Sequence, residues 1–558
     1  MKTSIILLTF NQLHYTKLCI NSIRKYTDKN TYELIVIDNH STDGTTKWLK
    51  NQEDIQCIFN EDNLGFPKGC NQGIKIAKGD NILLLNNDII VTPNWLTNLN
   101  KCLYSDKDIG AVGAVTNNCS NHQTIPSTYN NIEEMITFAK KNNISSKNQW
   151  EEKLRLIGFC MLIKKEVVEK IGLLDERFSP GNFEDDDYSF RIKLAGYKLM
   201  LCKDVFIHHF GSVSFNETKN EFSKILKVNK KKFKKKWGFS ISYYSNIQVD
   251  LINLMDNFQS KKVNVLEIGC GYGGTLLQIK NNCKTANLYG IDLNKKALEI
   301  AKSFANVQCL NIENEKLPYD ENYFDYIILG NILEHLYDPW KILKNIGMYM
   351  KKDGKILASI PNIMHYSNIK NLINGNWVHD DQTPIRFFTL KQINTMFNDV
   401  NYTIETITGK TTQPNEADKK LINSLNNITG RNMTKQYQFQ QYFIKARKIE
   451  NSIEENNSNH TKIKFLLRRI ENDILIEESS KSLIEIIDDS KLNLNTLIKI
   501  IHMNIIKKDK VLNQLSSQLS KKNMYEYANI LLSKSYEINP QNIETQELLK
   551  IIEGENLC

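Results

Sequence analysis

Short apolar runs alternate with stretches of helical periodicity along the first part of the chain. Residues 4–8, 34–37 and 82–85 read as strands, and 17–26 as an amphipathic helix. Strands of this length separated by helices predict a largely parallel α/β sheet, because parallel neighbours need a crossover and a helix supplies it. A second series opens at 263–268, continues through 288–292 and 326–329, and closes with 439–446. Past residue 450 the pattern changes to Ile and Leu at helical spacing, with many Asn and Lys and few Gly or Pro, which predicts an all-helical region. The expected organisation is therefore α/β multidomain: 1–240, 241–449, and a helical 450–558.

Composition supports packed cores. Of 558 residues 41% are hydrophobic and 24% charged, with 25 Gly and 10 Pro, values that exclude collagen-like and wholly disordered chains. The net charge of +9 changes meaning once it is located, because 224–236 holds eight lysines and no acid, while basic and acidic residues nearly balance elsewhere. Duplex binding needs basic residues spread over a face, so no nucleic-acid partner is expected. The run reads as a solvated helix face at the end of the first domain, with peripheral contact to an anionic membrane surface as the lesser reading. Eleven cysteines form no C-x-x-C pair, and several sit in apolar runs as small core residues, a pattern that suits a reducing cytoplasm. The first ten residues read as a strand and not a leader, and no stretch approaches the roughly 18 apolar residues of a membrane span.

Candidate chemistry begins where the strands end. Thr9 and Asn11 follow the first strand, and Asp38, Asn39, Ser41, Asp43 and Gly44 follow the second. Ligands of open α/β sheets bind beyond the carboxyl ends of strands, where an Asp can meet a nucleotide base. Alone, Asp38 to Gly44 reads equally well as a turn and helix cap. Further on, Asn63, Gly65, Gly69, Asn71 and Gly73 space three glycines with two asparagines, and Asn86-Asn87-Asp88 ends an apolar strand in a carboxylate. A divalent metal held by such a carboxylate can neutralise a diphosphate as a sugar leaves it. Glu184 to Asp187 cluster four acids, which is costly unless they are solvated or bind something.

In order and together, these motifs resemble family 2 glycosyltransferases of the GT-A fold, especially the rhamnosyltransferase-like branch. The resemblance also rests on Gly172 to Phe178 and on His208-His209-Phe210-Gly211-Ser212. It implies a donor-nucleotide site of Thr9, Asn11, Asp38, Asn39, Asn63, Gly65, Asn71 and Asn87, with Asp38 on the base. It further implies Asp88 on a divalent metal (Mg or Mn), His208 or His209 beside it, and Asp185 as general base with Glu184 as its neighbour. Asn86-Asn87-Asp88 departs from the usual Asp-x-Asp and leaves one carboxylate for the metal.

The second constellation is a strand entering a glycine-rich turn: Glu267, Gly269, Gly271, Gly273 and Gly274, with Asp292 ending the next strand. Glycines let backbone approach a nucleoside-bearing cofactor and the acid can bind ribose hydroxyls. The spacing also fits G-x-G-x-x-G, so a nicotinamide cofactor is the rival. Together with Leu317-Pro318, Phe324-Asp325, Leu333-Glu334-His335 and Pro361-Asn362 it resembles class I S-adenosylmethionine-dependent methyltransferases with a Rossmann-like fold. The resemblance implies S-adenosylmethionine held by Glu267, Gly269, Gly271, Gly273 and Asp292, with Asn311 and Ile312 beside the adenine. His335 is the candidate base for methyl transfer, or else a hydrogen-bonded structural residue. In the tail, Leu512, Leu515, Leu519, Ala528, Leu532, Ser535 and Pro540 resemble one tetratricopeptide hairpin near 509–542, where a plain bundle fits equally.

These readings lead to an expected two-headed enzyme. It would transfer a sugar with inversion from a nucleotide donor such as dTDP-rhamnose to a glycan or glycoprotein, and methylate a hydroxyl of the same glycan, in surface-glycan or flagellin-glycan biosynthesis. One alternative gives the methyltransferase half a separate protein or small-molecule substrate. Another makes that half a non-catalytic binding module, with the helical tail presenting a protein acceptor.

Overall fold

The computed structural model describes residues 1–120, 123–211, 219–241, 246–256, 258–376, 384–449, 457–471, 476–488 and 493–555. Two compact units, Met1–Asn311 and Ile312–Cys558, make up the chain.

In the first unit the strands are β1 (Thr3–Thr9), β2 (Tyr32–Asp38), β3 (Ile55–Phe59), β4 (Asn81–Asn86), β5 (Ile89–Ile90), β6 (Ile109–Val115), β7 (Trp150–Lys153), β8 (Cys160–Lys164), β9 (Lys198–Phe206) and β10 (His208–His209). Eight of them form one sheet in the order β3-β2-β1-β4-β8-β6-β9-β7, and β5 pairs with β10. The half from β3 to β4 is parallel, as expected. β8 then enters antiparallel between β4 and β6, so the sheet is mixed. Both faces are covered, which is why the strands read as continuous apolar runs. Along β1, Ile5 and Leu7 enter one core with Val36 and Leu83, while Ile6 enters the other with Ile35 and Leu84.

The helix Lys219–Trp237 carries the basic run. Phe233 and Trp237 are buried with Phe178, Phe190, Phe239 and Tyr272, each worth about 1.5–3 kcal/mol as an apolar side chain removed from water. Lys224, Lys227, Lys230, Lys231, Lys234 and Lys235 are exposed. Lys236 instead pairs with Asp175 and Asp187. The solvated-face reading of the run therefore fits the structure. The same unit continues with β11 (Asn264–Ile268), β12 (Asn287–Asp292) and β13 (Asn306–Cys309), all parallel.

The second unit holds β14 (Phe324–Gly330) parallel to β15 (Met350–Pro361). β17 (Phe439–Lys448) lies antiparallel between β15 and β16 (Tyr402–Thr411). The closing strand was expected, but β16 was not, because its residues alternate only weakly between half-buried and exposed. Among the described residues, six helices from Asn457–Glu471 to Ile543–Glu555 follow. Leu512, Leu515, Leu519, Ala528 and Leu532 are buried in one helical core, while Ser535 is buried against Asn513 and Thr545. Among the described residues no helix is long and apolar enough to cross a membrane.

Candidate functional site

β1 and β2 end side by side, with Thr9 directly opposite Asp38. Asp38 is buried, and its carboxylate accepts from the Ser41 N–H (3.1 Å) and the Thr46 hydroxyl (2.5 Å), so the turn reading holds locally. Asn11, in the left-handed region at φ 55°, clamps the same turn by donating to Ser41 Oγ and accepting from the Thr42 N–H. The Asn87 amide reaches Thr9 and Thr16. Asn39 donates to Asn63 Oδ1 and the Gly65 carbonyl and accepts from Asn60. Gly65 has φ 78°, and a Cβ there would stand 2.5 Å from Pro180 Cα, so only glycine fits. Seven of the eight expected donor-site residues are thus one network at the strand ends. Asn71 is placed apart: its amide donates to the Leu174 carbonyl and Glu176 and accepts from the Leu174 N–H.

Asp88 follows β4, and the β5–β10 pair sets His209 opposite Ile89. His209 Nδ1 lies 2.7 Å from the Asn118 carbonyl, which has no proton to give, so Nδ1 carries the hydrogen. Nε2 is buried 3.2 Å from Asp88 Oδ1; burial lowers the imidazole, but the Asp88 carboxylate outweighs this and holds it above its ordinary value. A nitrogen lone pair facing a carboxylate is repulsive unless a proton or a cation lies between them, and this donor set fits a divalent metal. Among the described residues no third His, Cys, Asp or Glu completes a metal cluster. The ring of His209 stacks on Phe159. His208 projects to the other side of β10, as successive strand residues do, and its Nδ1 pairs with the Tyr129 hydroxyl at 2.6 Å. Burial pushes its imidazole down to about 4. Ser212, which closes the same motif, lies outside the described residues.

The four acids open the helix Glu184–Leu194, where the N-terminal dipole favours negative charge. They separate by partner. Asp187 is fully buried against Arg191, Trp237 and Lys236. Asp186 is buried and paired with Arg155 at 2.7 Å. Glu184 is buried, and one of its oxygens has no partner; burial and the charge of Asp185 hold its carboxyl well above the usual range. Asp185 alone is partly exposed. It accepts from the N–H groups of Gly158 (3.0 Å) and Asp186 (2.8 Å), and burial of its surroundings, then the charge of Asp186, raise it to about 7. That is the range a general base needs near neutrality.

In the glycine-rich turn, Gly269 donates to the Ile291 carbonyl, and the Gly271 N–H donates to Asp292 Oδ2 at 2.8 Å. Gly273, at φ 85°, begins the helix Gly274–Asn282, and a Cβ on it would meet the Phe304 ring at 2.7 Å. Glu267 is 5% exposed, and its Oε2 has no partner. Burial pushes its carboxyl up to about 8 against the opposing hydrogen bond from Thr275, with the Asp292 charge adding to the rise. A buried, unpartnered carboxylate oxygen fits a cationic amino group, the chemistry that an S-adenosylmethionine headgroup supplies. Asn311, beyond β13, is the last residue of the first unit and Ile312 the first of the second; both are half-buried. In the second unit His335 ends a short 3₁₀ turn, partly exposed, with burial lowering its imidazole below the ordinary value. Its neighbour Glu334 is 2% exposed.

Several residues at these sites were absent from the sequence reading. Arg155, Gly158, Asn117 and Asn118 contribute a charge, an N–H and the carbonyls and amides around His209. The reciprocal Asn60–Gln72 amide pair ties the residue after β3 to the glycine run, with Gln72 inside that run between Asn71 and Gly73.

A glycosyl transferase family 2 model matches residues 4–172, and a methyltransferase domain model matches residues 225–407. The ubiquinone biosynthesis O-methyltransferase of Coxiella burnetii is 31% identical over 123 residues, 21% of this chain and 52% of that protein. The chain thus spans about half the length of the curated relatives it matches. Among solved structures, a mannosyltransferase from Pyrobaculum calidifontis in complex with GDP-Man and Mn2+ is 19% identical, covering 37% of this chain and 56% of that one, at a TM-score of 0.29. An S-adenosylmethionine-dependent methyltransferase from Mesorhizobium loti is 13% identical, covering 36% and 96%, at a TM-score of 0.27. The chain carries a glycosyl transferase family 2 domain of GT-A type followed by a Rossmann-like methyltransferase domain.

Proposed function

We propose that the protein is a two-headed transferase that adds a sugar from a nucleotide donor to a glycan or glycoprotein, and methylates a hydroxyl of the same glycan. The observation that carries the first half is the sorting of four consecutive acids: three are buried or paired, and Asp185 keeps an open carboxylate poised near neutrality. On this reading Asp185 takes the acceptor hydroxyl proton as the oxygen bonds to the anomeric carbon and the bond to the diphosphate breaks on the opposite face, which inverts the centre. Asp88 and His209 would hold the divalent cation, Mg or Mn, which when bound offsets charge growing on the leaving diphosphate. The strand-end network from Thr9 to Asn87 supports the nucleotide, with Asp38 facing the base.

For the second half, Glu267 and Asp292 flank the turn that would hold S-adenosylmethionine, which when bound supplies an electrophilic methyl group. Glu267 would meet its amino group and Asp292 its ribose, while His335 is the base for the acceptor hydroxyl. Joining both heads in one chain raises the local concentration of the shared glycan. A deoxysugar donor such as dTDP-rhamnose, a cytoplasmic site of action and a protein-binding tail complete the reading.

The test is to incubate the protein with S-adenosylmethionine, candidate glycan acceptors and a panel of nucleotide sugars, and to follow product masses. Sugar and methyl increments on one product support the coupled reading. A methyl increment on acceptor lacking the new sugar overturns the coupled order, and sugar transfer that survives Asp185→Asn overturns the assignment of the base.

A further inference from the structure

Arg155 has no role in either head as proposed, yet it is one of the most enclosed cations in the first unit. It lies just past β7, its side chain 17% exposed, and its guanidinium donates to Asp186 Oδ1 at 2.7 Å. Asp186 in turn donates its N–H to Asp185 Oδ1. Gly158, three residues after Arg155, donates to the other oxygen of Asp185. One short segment therefore supplies both an N–H to the open carboxylate and a positive charge to the acid beside it. Arg155 also lines one cleft with Tyr272, which sits between Gly271 and Gly273 of the cofactor turn, together with Glu152, Leu154, Leu277 and Asn281. Tyr272 is 2% exposed, its ring held against Phe190 of the acid-bearing helix and against Phe239. The segment is pinned at this junction, where Glu152 and Asn281 exchange two hydrogen bonds.

We propose that Arg155 is a positioning residue for the Asp185 carboxylate, held by Tyr272 of the glycine-rich turn, so that one side-chain linkage joins the sugar-transfer base to the cofactor loop. The charges facing Asp185 are Glu184 and Asp186 from its own helix and Arg155 from the β7–β8 segment; Arg155 faces Asp185, Asp186 and Tyr272. Removing the guanidinium strips the only one of these groups that favours the carboxylate form. The Asp185 carboxylate should then take up its proton at higher pH. Rearrangement of the turn around a bound nucleoside would reach Asp185 by the same route. The inference rests on the reading of Asp185 as the base only for its consequence, because the linkage can be measured without sugar transfer.

The experiment is pH-difference infrared spectroscopy of the full-length protein labelled with ¹³C-carboxyl aspartate, with the Asp185 signal identified by its loss in Asp185→Asn. In Arg155→Met the Asp185 signal should titrate upward by about 1 pH unit or more, the size expected when a neighbouring opposite charge is lost. Arg155→Lys should return most of the shift, and Tyr272→Phe, which keeps the ring, should move the titration in the same direction by less. Adding S-adenosylhomocysteine should displace the wild-type titration and leave that of Arg155→Met unmoved. An unchanged titration in both Arg155→Met and Arg155→Lys overturns the positioning role. An equal response to S-adenosylhomocysteine in wild type and Arg155→Met overturns the linkage. Sugar transfer surviving in Asp185→Asn would sink the base assignment and leave the linkage standing, so the two failures are distinguishable.

Discussion

His209 Nε2 stands 3.2 Å from Asp88 Oδ1 while the Asn118 carbonyl fixes the hydrogen on the opposite ring nitrogen. With Nδ1 bound to this carbonyl, Nε2 is aimed at the carboxylate, where a proton or a divalent cation would lie between them. His208, the adjacent residue, is turned toward Tyr129.

The two histidines should therefore behave differently. Asp88→Asn and His209→Ala are expected to weaken the Mn2+ dependence of nucleotide-sugar turnover by about 10- to 100-fold in apparent metal affinity, the scale typical of perturbing a metal shell. His208→Ala should leave that dependence near wild type. Metal titrations of donor consumption in the three variants, after stripping with a chelator, check the ranking.

Asp185 predicts the pH profile of sugar transfer. Its carboxyl is raised to about 7, and only the carboxylate can accept the acceptor proton, so the base is lost as pH falls through that value. Below it, kcat/KM should drop by about tenfold per pH unit. Asp185→Asn is expected to lose about 10² to 10⁴ in rate at all pH values, because a positioned carboxylate contributes on that scale. Initial rates with a fixed donor and acceptor across the pH range measure both.

Much of this architecture was legible in the residues, and the illegible part has physical causes. Thr9, Asp38 and Asn87 end apolar runs, and a polar residue at a strand's end in an open sheet marks the binding edge whatever the ligand. Asn71 sits in the same glycine-rich run as Gly65, but helix geometry turns it toward Leu174, roughly a hundred residues on, and spacing along the chain carries no trace of that. The opposite orientations of His208 and His209 follow from the two-residue period of a strand, once a strand is known to pass there. Arg155 could not be found: its partner Asp186 lies on another element, and a lone Arg after a run of charged residues reads as surface. The antiparallel entry of β8 was hidden for a related reason, since a buried strand has the same apolar run in either direction.

Gly273 is a position where sequence pattern and backbone agree. It takes φ 85°, and a Cβ would stand 2.7 Å from Phe304 Cζ and 3.1 Å from Ala301 Cβ. Gly273→Ala combines left-handed strain of about 1 kcal/mol or more with a clash that the packed helix Lys295–Ala301 must absorb. S-adenosylmethionine binding by calorimetry should be lost or greatly weakened. Sugar transfer should persist at reduced thermal stability, which separates a damaged turn from a globally unfolded chain.

Glu267 makes the cofactor turn sensitive to pH in a direction opposite to that of a salt-bridged acid. Burial raises its carboxyl to about 8, with the charge of Asp292 adding to the rise, so it is mostly neutral in the free protein at pH 7. Because the folded value lies above the unfolded one, its contribution to stability is full below the ordinary carboxylate range and is lost as pH rises through about 8. The melting temperature of the free protein should therefore fall between about pH 5 and about pH 9 by more in wild type than in Glu267→Gln, which carries no charge to bury. A cationic amino group beside Glu267 reverses the preference by favouring the carboxylate. Binding of S-adenosylmethionine near pH 7 should then release protons, seen as a dependence of the calorimetric enthalpy on the ionisation enthalpy of the buffer. In Glu267→Gln both the proton release and much of the affinity should vanish, even as the unliganded protein becomes more stable at high pH. A variant that lost affinity while still releasing the same protons would place the titrating group elsewhere, with Asp292, itself raised by burial, as the next to replace.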